Sequence, residues 1–177
     1  MKYSWIVFFD LDGTLWDHLD VTSTNPPFRK ISDTTISDAK GVHITLKLGA
    51  VEFLKWVRSS GGIVSTCSWN EFDKAFDAIK TFGVEQLFDF QKISTNPKKY
   101  LLMEEVLNEL HGRGVSIRAD SLFYIDDRDI HISEVLKRFP ELTFFQIQKN
   151  GITFDAIRKI ISEKLNKTLY SIGGFPA

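Results

Sequence analysis

What most restricts the folds open to this chain is an alternation. Short apolar runs with no polar face take turns with segments whose apolar residues recur every three or four positions. The runs SWIVFF (4–9), GIVSTC (62–67), SLFYI (121–125) and TFFQI (143–147), with a weaker one at FDFQKI (88–93), read as strands buried on both faces. Phe72, Ala75, Phe76, Ile79 and Phe82 have helical spacing. So do Met103, Val106, Leu107 and Leu110, and later Phe154, Ile157, Ile160, Ile161 and Leu165. A further helix is expected over 50–59, stopped by Gly61 and Gly62, and another between Asp127 and Pro140. Strands that alternate with helices pair in parallel through right-handed crossovers and are covered on both sides. The expected class is α/β: a Rossmann-like three-layer sandwich around a central parallel sheet.

The chain has 177 residues, 43% hydrophobic with 15 Phe, enough for a real core, and it is expected to form one domain over 1–177. A net charge of −1 gives no global attraction to nucleic acid or anionic lipid, so neither is an expected partner. One cysteine, Cys67, excludes an internal disulfide framework and suits a reducing compartment. The apolar run at 5–9 is too short for a signal peptide, and no stretch is long enough to span a bilayer. A soluble, cytoplasmic protein is expected.

One region breaks the alternation. Residues 17–47 are polar, contain Pro26-Pro27, and then alternate Val42, Ile44, Leu46 and Leu48 against His43, Thr45 and Lys47. With a turn at 37–41, this predicts a β-hairpin over 34–47, in an insertion too small to be a second domain. The hairpin is expected to govern substrate access. The tail from Ser171, within a segment at 169–177, is expected to be loosely held.

In open α/β sheets, ligands bind outside the carboxyl ends of the strands. Those ends carry Asp10 and Asp12, then Ser68, then Lys98 or Lys99, then Asp126 and Asp127. Four carboxylates against one ammonium need a cation, and all-oxygen ligands point to Mg²⁺ rather than zinc. A metal among acids, with a lysine and a hydroxyl opposite, suits phosphoryl transfer. Plainer roles exist for each group. Asp12-Gly13 could merely close a strand, and Ser68-x-x-Glu71 reads as a helix capping box. Asp126 and Asp127 could simply favour a helix N-terminus. Cys67 reads as an inert core thiol, and His18, His43, His111 and His131 show no metal-ligand spacing.

The order of these groups resembles phosphohydrolases of the haloacid dehalogenase superfamily. Asp10-Leu11-Asp12-Gly13-Thr14 is similar to the first motif, Ser68 to the second, the lysine to the third, and Asp126-Asp127 to the fourth. DGTLW (12–16), PPF (26–28) and YIDDRDIHI (124–132) look like landmarks of the magnesium-dependent phosphatase family. The resemblance implies that Asp10 is a nucleophile forming an aspartyl phosphate and that Asp12 is the general acid and base. It implies Mg²⁺ held by Asp10, Asp12 through its backbone carbonyl, and Asp127, with Asp126 as runner-up or outer partner. Ser68, Trp69 and Lys99 would face the substrate phosphate, Lys99 being favoured over Lys98. Trp69 stands where an arginine commonly follows the serine, and Leu48 stands at a frequent proline, which bears on substrate identity more than on chemistry. The resemblance implies phosphotyrosine, on a protein, or a small sugar phosphate as substrate. A phosphomutase would need a larger cover to exclude water. A receiver domain places its acids in a different strand order. A silent metal-binding module would not need the whole acid set.

Overall fold

Neither face of the segment WIVFF can meet water, so it takes the middle of a sheet. In the computed structural model, which describes residues 4–172, β1 (Ser4–Phe9) pairs in parallel with strands on both sides. Trp5, Val7 and Phe9 point into one apolar cluster, and Ile6 and Phe8 into another. The next elements are β2 (Arg29–Lys30), β3 (Thr35–Ser37), β4 (His43–Thr45), α1 (Ala50–Ser59), β5 (Ile63–Thr66), β6 (Ser68–Trp69) and α2 (Phe72–Phe82). Then come β7 (Ile93–Ser94), α3 (Lys99–Gly112), β8 (Ile117–Asp126), α4 (Ile132–Arg138), β9 (Thr143–Gln146) and α5 (Phe154–Ile172). The main sheet has the order β5-β1-β8-β9, all parallel. Phe53 of α1, Ile79 of α2 and Ile157 of α5 cover one face; Met103 and Val106 of α3 and Val135 of α4 cover the other.

The weak strand expected at 88–93 is a broken ladder. Its parallel course along β5 and β6 is kept by Thr66 N–H to Phe90 O (3.0 Å) and Ser68 N–H to Lys92 O (3.1 Å). Only Ile93–Ser94 pairs regularly, with β6. The cause is Asp89, whose Oδ2 accepts from the Val64 N–H at 2.9 Å, so a side chain occupies a place in the ladder. The strand expected at 121–125 begins earlier, at Ile117, past an irregularity opposite Ser4 and Ile6.

The insertion holds more than a hairpin. β2, β3 and β4 form a three-stranded antiparallel sheet, and Val21–Ser23 form a short 3-10 helix. Ile36 and Ile44 are fully buried in the same cluster as Ile79 and Phe82, which seats this sheet on α2. Trp16 bridges to Leu46, and Lys47 N–H donates to Leu15 O at 2.9 Å, so both ends of the insertion are stitched together. The helix expected around Phe154–Leu165 runs on to Ile172, which absorbs Ser171; residues 173–177 of the expected tail lie outside the described residues. Among the described residues, no helix is long and apolar enough to cross a membrane.

Candidate active site

β1 delivers Asp10 to the sheet's edge, where its N–H still donates to Ile125 O of β8 at 3.0 Å. The chain then turns tightly, with Thr14 and Leu15 N–H both donating to Leu11 O (3.1 and 2.8 Å). Gly13 makes that turn at φ +68°, and a Cβ there would lie 2.4 Å from Asp127 Oδ2. Glycine is therefore required twice, by the backbone conformation and by the carboxylate packed over it.

Asp10 is 2% exposed. Its Oδ1 accepts from Lys99 Nζ at 2.7 Å, and the same ammonium donates to Asp126 Oδ2 at 2.6 Å. Lys99 is therefore the lysine that reaches the acids; Lys98 is the residue capping α3. Asp126 has both oxygens engaged: Oδ2 also accepts from the Tyr124 hydroxyl, and Oδ1 from the Arg128 N–H at 2.9 Å. Asp10 Oδ2 and Asp127 Oδ1, by contrast, are buried without a hydrogen-bond partner, the Arg128 Nε standing 3.8 Å from the latter. Oxygens of Asp10, Asp126 and Asp127 lie within 4.8 Å of one another. Orphaned carboxylate oxygens on two acids of so close a group fit a hard cation.

The electrostatics agree. Burial raises the Asp10 carboxyl to about 7; Lys99 opposes this and Asp126 adds to it. Burial and the neighbouring Asp126 charge raise Asp127 to about 6. For Asp126 burial also pushes upward, but the contact and charge of Lys99 outweigh it and the carboxyl is held below its usual range. Lys99 itself would be lowered by burial, yet Asp10 and Asp126 hold it raised. Two acids of this cluster thus resist ionisation until positive charge is added.

Asp12 points elsewhere. Its Oδ1 accepts from Trp16 Nε1 (2.7 Å) and Val21 N–H (3.1 Å), and its Oδ2 from Asn70 Nδ2 (2.9 Å). Burial raises its pKa against these donors. Its carboxylate is not in the metal-sized cluster. It lines a cavity of about 390 Å³ together with Leu19, Trp69, Thr95 and Arg128. The insertion's first turn supplies Leu19, Asp20 and Thr22 to this cavity; the hairpin at 34–47 supplies no lining residue.

Ser68 is buried in β6, its Oγ accepting from Asn70 Nδ2 at 2.8 Å. The capping-box alternative fails: α2 starts at Phe72, its cap is Glu71, and no side chain caps it. Trp69 is 44% exposed, its Nε1 tied to Thr95 O at 2.9 Å and its ring edge-on to His131. Cys67 is buried with its thiol raised to about 12 by desolvation, in keeping with an inert role. No histidine joins the metal-sized cluster among the described residues. Asn70, Trp16 and Tyr124 are the polar partners that sequence reasoning missed. Of these, only Asn70 carried a signal, an amide two positions past the strand-end serine.

A family model described as Acid Phosphatase matches residues 2–165. The chain is 29% identical over 133 residues to Magnesium-dependent phosphatase 1 of Homo sapiens, across 75% of this chain and 72% of that protein. Among solved structures it resembles the N-terminal part of a Bacteroides fragilis protein containing a phosphatase domain, complexed with Mg. There the TM-score is 0.60 at 19% identity, over 93% of this chain and 40% of that one. A haloacid dehalogenase superfamily hydrolase from Ehrlichia chaffeensis gives a TM-score of 0.60 at 17% identity, over 93% and 99% of the two chains. The structural likenesses establish a shared fold.

Proposed function

The chain belongs to the acid phosphatase family, and from that premise we propose that it hydrolyses phosphomonoesters through a covalent phosphate on Asp10, with Mg²⁺ as its metal. The observation that carries this reading is the pair of orphaned oxygens, Asp10 Oδ2 and Asp127 Oδ1, beside a lysine that already occupies Asp10 Oδ1. Asp10 and Asp127 side chains and the Asp12 backbone carbonyl would hold the ion, while Asp126 serves from outside by fixing Lys99. When bound, Mg²⁺ supplies the positive charge that keeps Asp10 ionised and offsets charge on the phosphate.

Asp10 attacks phosphorus with a carboxylate oxygen, and the ester P–O bond breaks. Asp12 gives its proton to the departing oxygen, then takes one from the water that cleaves the acyl phosphate, releasing phosphate and restoring Asp10. Ser68 and Lys99 offset charge on the transferring group. Beyond Asp12, the open cavity with the Trp69 face would receive a leaving group the size of a phosphotyrosine ring or a sugar.

The test uses Asp10→Asn and Asp12→Asn with an activated aryl phosphate and an alkyl phosphate. Asp10→Asn should be inactive on both. Asp12→Asn should lose alkyl turnover by roughly 10²–10⁴-fold yet still give a burst of phenolate, because a good leaving group needs no proton. Rapid-quench mass spectrometry should then find phosphate on Asp10; phosphate on Ser68 or Cys67 would overturn the assignment. Chelation by EDTA should abolish turnover and Mg²⁺ should restore it, with Ca²⁺ a poor substitute.

A further inference from the structure

We propose that Asn70 is a positioning residue whose single amide ties Asp12 to Ser68, fixing the oxygen from which Asp12 delivers its proton and leaving the Ser68 hydroxyl free to donate to the substrate phosphate. This rests on the reading of Asp12 as general acid.

The orientation of the network is set at its acceptor end, the Asp12 carboxylate, which when ionised can only accept. Glu71 N–H donates to Thr22 Oγ1 at 3.2 Å, and Thr22 spends its hydroxyl hydrogen on Asn70 Oδ1 at 2.9 Å. The Asn70 amide nitrogen faces the other way, its two hydrogens going to Asp12 Oδ2 at 2.9 Å and Ser68 Oγ at 2.8 Å. The flipped amide would set its carbonyl oxygen against the Asp12 carboxylate once the acid has given up its proton, with no hydrogen between them. Asn70 is 4% exposed, set in the cavity wall with Asp12 and Trp69.

Two consequences follow. Asp12 Oδ1 has two donors on it, Trp16 Nε1 and Val21 N–H, whereas Oδ2 has one. Oδ2 is therefore the oxygen with a lone pair left to carry a proton, and Asp12 lines the cavity that would hold the leaving group. Ser68 accepts from Asn70 and, among the described residues, donates to no acceptor, so its hydrogen is available to a phosphate oxygen. Thr22 lies in the insertion and Ser68 in β6, so one side chain joins the loop over the site to the strand beneath it.

The experiment compares an alkyl phosphate with an activated aryl phosphate at saturating Mg²⁺, together with inhibition by inorganic phosphate. Asn70→Ala should lower alkyl turnover by about tenfold or more beyond any loss on the aryl substrate, the size expected when acid catalysis is partly lost. Inorganic phosphate should inhibit it more weakly, through Ser68. Asn70→Asp, of equal size, still accepts from Thr22 but donates to neither partner, and it should show the same pattern if Asn70→Ala folds poorly. Thr22→Val should act in the same direction and Thr22→Ser should restore the wild-type pattern. An equal loss on both substrates with unchanged phosphate inhibition would overturn the proposal. Asp12→Asn separates this from the reading beneath it. If that variant shows the leaving-group contrast and the Asn70 variants do not, only the role of Asn70 falls. If Asp12→Asn lacks the contrast, the acid assignment falls and takes the role of Asn70 with it.

Discussion

At Ser68, one hydrogen-bond ladder decides between capping a helix and meeting a ligand. Ser68 N–H to Lys92 O and Asn70 N–H to Ser94 O hold residues 68–70 extended, so the helix cannot begin until Phe72. Ser68→Ala should therefore spare the ~1 kcal/mol that a lost N-cap costs, while lowering turnover. A melting loss of that size with kcat intact would reverse this conclusion. Lys99 offers the opposite case, since it neutralises two carboxylates in the interior. Lys99→Met should destabilise the protein by about 3–5 kcal/mol at neutral pH in urea unfolding, because it leaves Asp10 and Asp126 buried without a countercharge. Part of that loss should return on acidification, as Asp126, no longer held low by Lys99, takes up a proton. At this scale the acids were legible because Asp10, Asp12, Asp126 and Asp127 sit at strand ends that apolar runs announce. The choice between Lys98 and Lys99 depends on the phase of a helix start, which adjacent identical residues conceal. Asn70 meets Asp12 across 58 positions, a separation no local pattern encodes.

At the scale of elements, the insertion divides into a part that braces and a part that lines. Asp38 is buried at the hairpin turn and accepts from the N–H groups of Lys40, Val42 and Asn25 (2.9, 2.8 and 2.9 Å). Asp38→Ala should lower the melting temperature with little change in the relative rates on different substrates. Leu19, 70% exposed at the cavity rim, should behave in the converse way. Leu19→Ser should raise KM for bulky phosphates, leave kcat on a small aryl phosphate near wild type, and leave the melting temperature unchanged. If shortening the hairpin alone re-ranked substrates while Leu19→Ser did not, this division would be wrong. The alternation through Val42, Ile44, Leu46 and Leu48 revealed the hairpin, although only Ile44 and Leu46 are buried and Val42 and Leu48 are exposed. It gave no sign that β2 joins as a third strand, because Arg29 and Lys30 are exposed and carry no apolar signature.

For the whole molecule, the acid cluster couples stability to pH and to metal. Asp10 and Asp127 hold their protons more tightly when folded than unfolded, with values raised to about 7 and about 6. The stability this adds is fully present below about pH 4, the ordinary carboxylate range, and is lost as pH rises through those values. His131, lowered by burial and then by Lys99, works against this trend over its own range. Magnesium favours the ionised acids, so the rise in melting temperature it produces should be larger at about pH 7.5 than at about pH 5.5. Asp127→Asn should shrink that difference, and an equal rise at both pH values would contradict the linkage. The parallel sheet and its two helical layers were legible throughout, since a strand apolar on both faces has few places to go. The broken ladder at 89–94 was not, because Asp89 acts there as backbone and side chain at once.

The exposure of Trp69 has an optical consequence. Trp5 and Trp16 are 6% and 0% exposed, and Trp56 is half-buried, whereas Trp69 stands 44% exposed with its indole anchored at Thr95. Its emission should be the most red-shifted of the four tryptophans, and a ring settling on its face should quench it. Titrating a non-hydrolysable aryl phosphonate against wild type and Trp69→Phe would read occupancy of the cavity directly. The wild-type signal should saturate with ligand while the variant's stays flat.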